Sequence, residues 1–401
     1  YKYIGIFSDS MPDLNYSSEA LQEDMKNVAK FWLDMGIDGF RLDAARHIFG
    51  DFYSNIYNDY IAEENQSFWE DFRSDIVAEY PNAYLVGEVW EKNTDNMVPF
   101  ISEGALDSTF DFNLANKIYE AVSNESTAYD PSAVDPENQL SQDNDLNIVS
   151  DLVSFYNKFG EASNYNFIDC PFSTNHDQNR IMSLFKYQFD PEATDINVAN
   201  PLKDESEQLI LREDADKAMD HAKVASSLLL TMPGRPFIYY GEEVGLDGVK
   251  PDSSIRECMP WYEEPFNADG SAKEGLANYG ETLYSVGGEA SVEAQIDQPD
   301  SLYAHYEEVI HARKRIPALM NGDIDEYNLD SQQIISYIRM TEDQRVLVVV
   351  NLSGETLTQE LVQDPNYGSF HRVLFQSSQD SISQLNDSTL TLAPYSMVVL
   401  E

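Results

Sequence analysis

At 401 residues, with 42% hydrophobic and 12% aromatic residues, the chain can bury one large core and a smaller one. Its 71 acidic against 25 basic residues give a formal net charge of −46, which disfavours nucleic acid and anionic membrane surfaces as partners and leaves a neutral or cationic substrate. Two cysteines, Cys170 and Cys258, exclude a disulfide framework though not a single bridge, and no run of about 18 apolar residues is present to span a membrane.

Leu21, Met25, Val28, Trp32 and Met35 recur at helical spacing, which predicts a helix over Ser17 to Gly36 with those residues on one face. Ile37 to Asp43 follows as a short buried strand. A second helix from about Ser67 to Tyr80 is stopped by Pro81, and Ala83 to Gly87 forms a strand that ends at Glu88. Leu106 to Phe112 is a third strand. After a helix around Ile148 to Phe159, Asn166 to Ile168 leads into a fourth strand ending at Asp177. Asp214 to Leu230 is helical, and Pro236 to Tyr240 is an apolar fifth strand between Gly234 and Gly241.

Five strands alternating with helices point to a parallel sheet with helices outside, doubly wound or closed as a barrel. No strand end carries a phosphate-cradling glycine loop. A helix near Ser301 to Arg315 precedes a change of period to short strands at Gln333 to Met340, Arg345 to Asn351, Phe370 to Phe375 and Ser396 to Leu400. The β-branched run Val346 to Val350 is the expected central strand of this small antiparallel domain. Asn124 to Asn147 and Gln188 to Glu213 read as surface insertions.

Three carboxylates, Asp43, Glu88 and Asp177, fall at C-terminal strand ends, where barrel enzymes assemble their sites. Glycosidic hydrolysis needs one carboxylate as nucleophile and one carboxylic acid to protonate the leaving oxygen. Strand alternation sends Arg41 and Asp43 to one side and Phe40 and Leu42 to the other. Arg41 would keep Asp43 ionised, while the apolar run around Glu88 would keep that acid protonated. Taken alone, Arg41 and Asp43 also fit an Asp capping the following helix.

The segments Gly39 to His47, Gly87-Glu88-Val89-Trp90 and Phe172-Ser173-Thr174-Asn175-His176-Asp177 resemble three signature blocks of the α-amylase family of glycoside hydrolases. Met11-Pro12-Asp13-Leu14-Asn15 resembles the block that closes that family's inserted B domain, and Gly234 to Gly245 its last barrel strand. The resemblance implies Asp43 as nucleophile, Glu88 as general acid/base and Asp177 as transition-state stabiliser. It implies that Arg41 holds the nucleophile and that His176 binds sugar at the cleavage subsite. Arg46 and His47 match a basic-residue-plus-His pair that contacts the leaving-group side, and Trp90 is implied as a further substrate-binding residue. Asp252 and Arg256 resemble a pair gripping the sugar towards the non-reducing end, a surface ion pair being the other reading.

The implied fold is the C-terminal part of a TIM (β/α)8 barrel, strands four to eight, followed by the antiparallel domain. The expected limits are 1–16 for the end of the B domain, 17–321 for the barrel and 322–401 for the β domain. The first three strands have no counterpart here, so residues 1–401 made alone are expected not to act as a competent amylase. A structural Ca2+ is implied, with most ligands expected before Tyr1 and the His47 carbonyl as one contributor. The expected activity is hydrolysis of α-1,4-glucosidic bonds in starch or malto-oligosaccharides by a secreted, salt-adapted monomer. Exo-α-glucosidase or transglycosylase action, or a non-catalytic carbohydrate-binding or scaffold relative, are the alternatives.

Overall fold

The computed structural model describes residues 3–49, 62–91, 93–127, 148–191, 193, 195–264, 266–271, 273, 288–329, 331–361, 365–378, 380–386 and 389–401. The chain divides into two compact units, the first holding Tyr1–Asn113 and Ser154–Cys170, the second Leu114–Tyr129 and Pro171–Glu401 together with a short part of the intervening chain.

In the first unit, helix α1 (Glu19–Asp34) leads into strand β1 (Gly39–Leu42), and helix α2 (Ala62–Glu79) into β2 (Tyr84–Gly87). β1 and β2 pair in parallel, with Arg41 opposite Val86 and Leu42 opposite Gly87. Only glycine fits at position 39, because a Cβ there would stand 1.9 Å from the Tyr84 carbonyl oxygen. β3 (Ser108–Thr109) adds to β2, again in parallel, and the pairing passes on through a bridge between Phe110 and Cys170. The third strand is thus much shorter than expected, because Phe112 opens a helix, Phe112–Ser123, that the sequence reading missed.

The apolar stripe of α1 is not its buried face. Val28, Trp32 and Met35 are exposed, while Lys26, Ala29 and Leu33 are buried. Lys26 lies 2.5 Å from Asp71 and Lys30 2.5 Å from Glu79, both on α2, so the lysine side of α1 faces that helix. α2 begins five residues before the expected Ser67.

In the second unit Phe172 pairs in parallel with Phe237 through a single bridge. No strand forms over Pro236 to Tyr240, and Phe237, Ile238 and Tyr240 are 40%, 36% and 38% exposed. Pro171 and Pro236 have no amide hydrogen, which limits the ladder to one bond from Phe237 N–H to the Pro171 carbonyl at 2.8 Å. These parallel pairings in chain order, with helices between them, are the C-terminal part of a TIM barrel.

The β domain follows helices Leu302–Arg315 and Pro317–Asn321. Its antiparallel five-stranded sheet runs β4 (Asp323–Glu326), β5 (Ile334–Met340), β6 (Arg345–Asn351), β11 (Met397–Leu400) and β8 (Val373–Gln376). A second sheet places β10 (Thr389–Leu392) between β7 (Leu357–Glu360) and β9 (Ile382–Leu385). β6 occupies the central position expected of it, and Leu347 and Val349 join Ile334, Ile338, Leu390, Leu392, Val398 and Leu400 in the core. Each such side chain contributes roughly 1.5–3 kcal/mol of burial.

Two buried arginines meet the end of helix Ala218–Thr231, Arg313 from helix Leu302–Arg315 and Arg339 from the β domain. Arg313 donates to the carbonyls of Leu230, Met232 and Gly234 at 2.8, 2.7 and 2.6 Å. Arg339 on β5 donates to the carbonyls of Thr231 and Gly322, and the Tyr337 hydroxyl meets that of Thr231 at 2.5 Å. Carbonyls at a helix C-terminus lack partners within the helix, and these side chains supply them. Both cysteines are free thiols, Cys170 buried and Cys258 half-buried. Residues 128–147 of the first expected insertion lie outside the described residues, and the second is held by bridges Tyr187–Leu211, Phe189–Pro201 and Lys203–Leu209.

Candidate active site

In the first unit the parallel register delivers two of the carboxylates together. Arg41 lies opposite Val86 and Leu42 opposite Gly87, so Asp43 and Glu88 are next in line. The backbone confirms the continuation: Glu88 N–H donates to Leu42 C=O at 2.9 Å, and Ala45 N–H donates to Glu88 C=O at 3.0 Å. A Cβ on Gly87 would fall 2.6 Å from Leu106 Cδ1, so a glycine lets the strand end pass close to that side chain.

Alternation along β1 holds as read, with Arg41 and Asp43 exposed and Phe40 and Leu42 less so. Asp43 does not cap the following 3-10 turn Ala45–His47, which begins at Ala44 with no side-chain cap and a φ of 46°. The Ala44 N–H instead donates to Glu88 Oε2 at 3.1 Å, and Trp69 Nε1 holds the Ala45 carbonyl at 3.0 Å.

Arg41 is where the surroundings differ from expectation. One guanidinium nitrogen binds Asp43, and the other stands 2.9 Å from Glu88 Oε2. Glu88, 9% exposed, is therefore buried against a cation and a backbone N–H rather than in purely apolar surroundings. Asp43, with its side chain 77% accessible, is left open to a substrate.

Arg46 is turned inward. It is buried, its Nη1 bonds the Trp90 carbonyl at 2.9 Å, and Glu91 Oε2 lies 3.0 Å away. That arrangement fixes Trp90, whose ring stacks on Phe112 at 4.8 Å and 15°. Glu91 was not singled out from the sequence; its place next to Trp90 was the available signal. His47 is half-buried, its ring edge-on to Phe7 at 5.5 Å. Burial first, and then the neighbouring Arg46 charge, push its pKa down to about 4, so it is neutral above that pH.

The remaining candidates belong to the second unit. Asp177 Oδ1 is 2.5 Å from Arg256 Nη2 and its Oδ2 3.1 Å from His176 Nε2. Arg256 also pairs with Asp252 at 2.8 Å, four residues back, so the proposed sugar-gripping pair is joined directly to the third carboxylate. The expected fourth strand is reduced to single bridges at Cys170 and Phe172, so Asp177 lies in a turn, and three residues before it stands a contact that sequence reasoning did not find. Thr174 donates its hydroxyl to Glu242 Oε1 at 2.5 Å, and Glu242 is 1% exposed. Burial raises the Glu242 pKa to about 8, against the opposing pull of the Thr174 hydrogen bond and the Arg180 charge. Arg180 is itself fully buried, its guanidinium 4.3 Å from the Tyr239 ring centre and its Nη1 2.7 Å from the Tyr240 carbonyl.

Among the described residues no group of three or more His, Cys, Asp or Glu is placed to hold a metal ion. Nor is any described helix long and apolar enough to cross a membrane.

Comparison with known proteins places these residues in a wider frame. The model of the α-amylase catalytic domain matches residues 1–202 and 207–322, and that of the α-amylase SusG C-terminal domain matches residues 334–399. Alpha-amylase 3 of Dictyoglomus thermophilum is 32% identical over 357 residues, which are 88% of this chain and 57% of that protein. The 4-alpha-glucanotransferase of Thermotoga maritima is 27% identical over 370 residues, 91% of this chain and 66% of that protein. The crystal structure of an α-amylase from H. orenii superposes with a TM-score of 0.72 at 30% identity, covering all of this chain and 68% of the other. The chain thus spans little more than half the length of the first of these relatives.

Proposed function

The chain belongs to the α-amylase family of glycoside hydrolases, and from that premise we propose that it hydrolyses α-1,4-glucosidic bonds of starch or malto-oligosaccharides with retention of configuration. The observation that carries this reading is the single guanidinium of Arg41 shared by Asp43 and Glu88. Two carboxylates on one guanidinium are near neighbours, in keeping with the separation of about 5–5.5 Å that retention uses rather than the wider gap that admits a water.

In this mechanism Asp43, ionised and exposed, attacks the anomeric carbon. Glu88, in its acid form, gives its proton to the departing glycosidic oxygen. The product of this step is a glycosyl ester on Asp43. Glu88, now a carboxylate, takes a proton from water as that water attacks the ester carbon, and the sugar leaves with its original α configuration. Arg41 stabilises Asp43 as an anion before attack and again when the ester breaks. Asp177 would balance the positive charge that builds on the ring in each transition state, and His176 would bond the same sugar. His47, being neutral, can donate or accept one hydrogen bond to a sugar hydroxyl, whereas Arg46 acts by fixing Trp90.

A second reading, transfer of the glucosyl unit to another sugar, is favoured by the likeness to a protein named as a 4-alpha-glucanotransferase. Product analysis separates the two. Malto-oligosaccharides incubated with the protein should give shorter α-anomers seen by early-time proton NMR, with little product longer than the substrate. A β-anomer as first product would overturn retention, and predominance of longer chains would establish transfer.

A further inference from the structure

The segment from Gly248 to Arg256 is stitched to the segment that carries Asp177. Arg180 N–H donates to Gly248 C=O at 2.9 Å, and Lys250 N–H donates to Asn179 Oδ1 at 2.8 Å. Arg256 Nε donates to His176 C=O at 2.8 Å and its Nη2 to Asp177 Oδ1 at 2.5 Å. Along the outside of this seam runs a ladder of alternating charge. The Lys250 ammonium lies 2.6 Å from Asp252 Oδ1, Asp252 Oδ2 lies 2.8 Å from Arg256 Nη2, and that same nitrogen serves Asp177.

Arg256 Nη2 carries two hydrogens and faces two carboxylates. Asp252 has the advantage of position, since an acid four residues before a base on a helical turn pairs with it readily. What prevents Asp252 from turning both oxygens to Arg256 is Lys250, which holds one of them and is the foremost cause of the lowered Asp252 pKa. The side chains are open to solvent, 23% for Lys250, 50% for Asp252 and 43% for Arg256. Each rung is therefore weak and exchangeable, which suits a device that sets an orientation rather than one that holds the fold.

We propose that Lys250 is a positioning residue for Asp177: by retaining the far oxygen of Asp252, it keeps Arg256 shared between Asp252 and Asp177. Without the ammonium, Asp252 takes the Arg256 guanidinium with both oxygens, and Asp177 is left with His176 as its remaining partner in this ladder. The inference deepens the proposed function, in which Asp177 stabilises the transition state, so its effect falls on kcat more than on KM.

The test compares Lys250→Met, Lys250→Arg, Asp252→Asn and the double variant Lys250→Met/Asp252→Asn in the full chain. On a malto-oligosaccharide, Lys250→Met should lower kcat about tenfold with KM and melting temperature little changed, and Lys250→Arg should restore it. The discriminating result is the double variant: removing the Asp252 charge ends the competition for Arg256, so its kcat should return to within about twofold of Asp252→Asn alone. A structural role for Lys250 would not be relieved by losing Asp252. In a crystal structure of Lys250→Met the Arg256 guanidinium should meet both oxygens of Asp252 and stand away from Asp177. An Arg256 still shared between Asp252 and Asp177, or a kcat loss that persists in the double variant, overturns the proposal. A parent protein inactive on every α-glucan, with the Arg256 shift still seen, overturns the proposed function and leaves the ladder standing.

Discussion

Arg41 Nη2 reaches Glu88 Oε2 at 2.9 Å across the first pair of parallel strands, although the two residues are far apart in sequence. The same guanidinium binds Asp43, and a fork of this kind is something lysine cannot reproduce, since its ammonium is a single point of charge. Arg41→Lys should therefore lower kcat roughly a hundredfold, and Arg41→Leu by roughly a thousandfold or more, with the fold intact by circular dichroism. Arg41→Lys at half the parent rate would show that bridging is not required. Asp43→Asn, which removes the nucleophile itself, should fall lower still.

The buried carboxyl of Glu242 gives a pH signature. Its pKa is about 8 in the folded protein against an ordinary value of 4.5, so between these limits the folded state holds a proton that the unfolded chain has released. Stability from this group is complete below about 4.5 and is lost as the pH rises towards 8. Glu242→Gln keeps an oxygen for Thr174 and removes the titration. Its stability relative to the parent should rise between pH 5 and pH 8 by on the order of a few kcal/mol, read from denaturant midpoints. Parallel stability curves for the two proteins would remove Glu242 from this role.

Arg46 and Glu91 make a test of the Trp90 platform. Both side chains are about nine-tenths buried, and stripping one member from a buried pair leaves the other charge exposed to the low-dielectric interior. Glu91→Ala should cost about 3 kcal/mol in stability and should also weaken binding of malto-oligosaccharides, since the Trp90 carbonyl loses its anchored arginine. A variant as stable as the parent would mean that water replaces the carboxylate freely.

The net charge of −46 predicts that stability climbs with salt. Counter-ions shorten the range of repulsion from about 30 Å at 0.01 M to about 3 Å at 1 M. The melting temperature should therefore increase steadily from low salt to molar sodium chloride. A steady decrease over that range would count against a surface adapted to high salt.

The residues that the sequence placed well are those whose neighbours lie within a few positions. Arg41 and Asp43 on one side of β1, Phe40 and Leu42 on the other, follow from the pleat alone. The run Val346 to Val350 could be central because nothing in it tolerates water. Misreadings arose where a partner distant in sequence decided the matter. On α1 the apolar stripe through Val28 and Trp32 was the stronger signal, yet Lys26 and Lys30 are the residues that meet α2, at Asp71 and Glu79. The helix opening at Phe112 was legible in Phe112, Ala115, Ile118 and Val122, all buried, but the expected strand had already claimed its first residue. No local pattern announces that Thr174 meets Glu242, or that Arg256 meets Asp177, because each depends on how loops return.

Arg313 and Arg339 carry a last consequence. Composition and period place a boundary near Asn321, but Arg339 beyond it holds the Thr231 carbonyl before it, and Tyr337 holds the Thr231 hydroxyl. Cutting the chain there would leave the end of that helix with Arg313 but without the Arg339 and Tyr337 bonds to Thr231. Amide hydrogens near Thr231 should accordingly exchange with solvent at the same free energy as those of β5, as one cooperative opening. The β domain is then not an accessory to be added or removed at will; the barrel helix is completed by it, and neither should melt before the other.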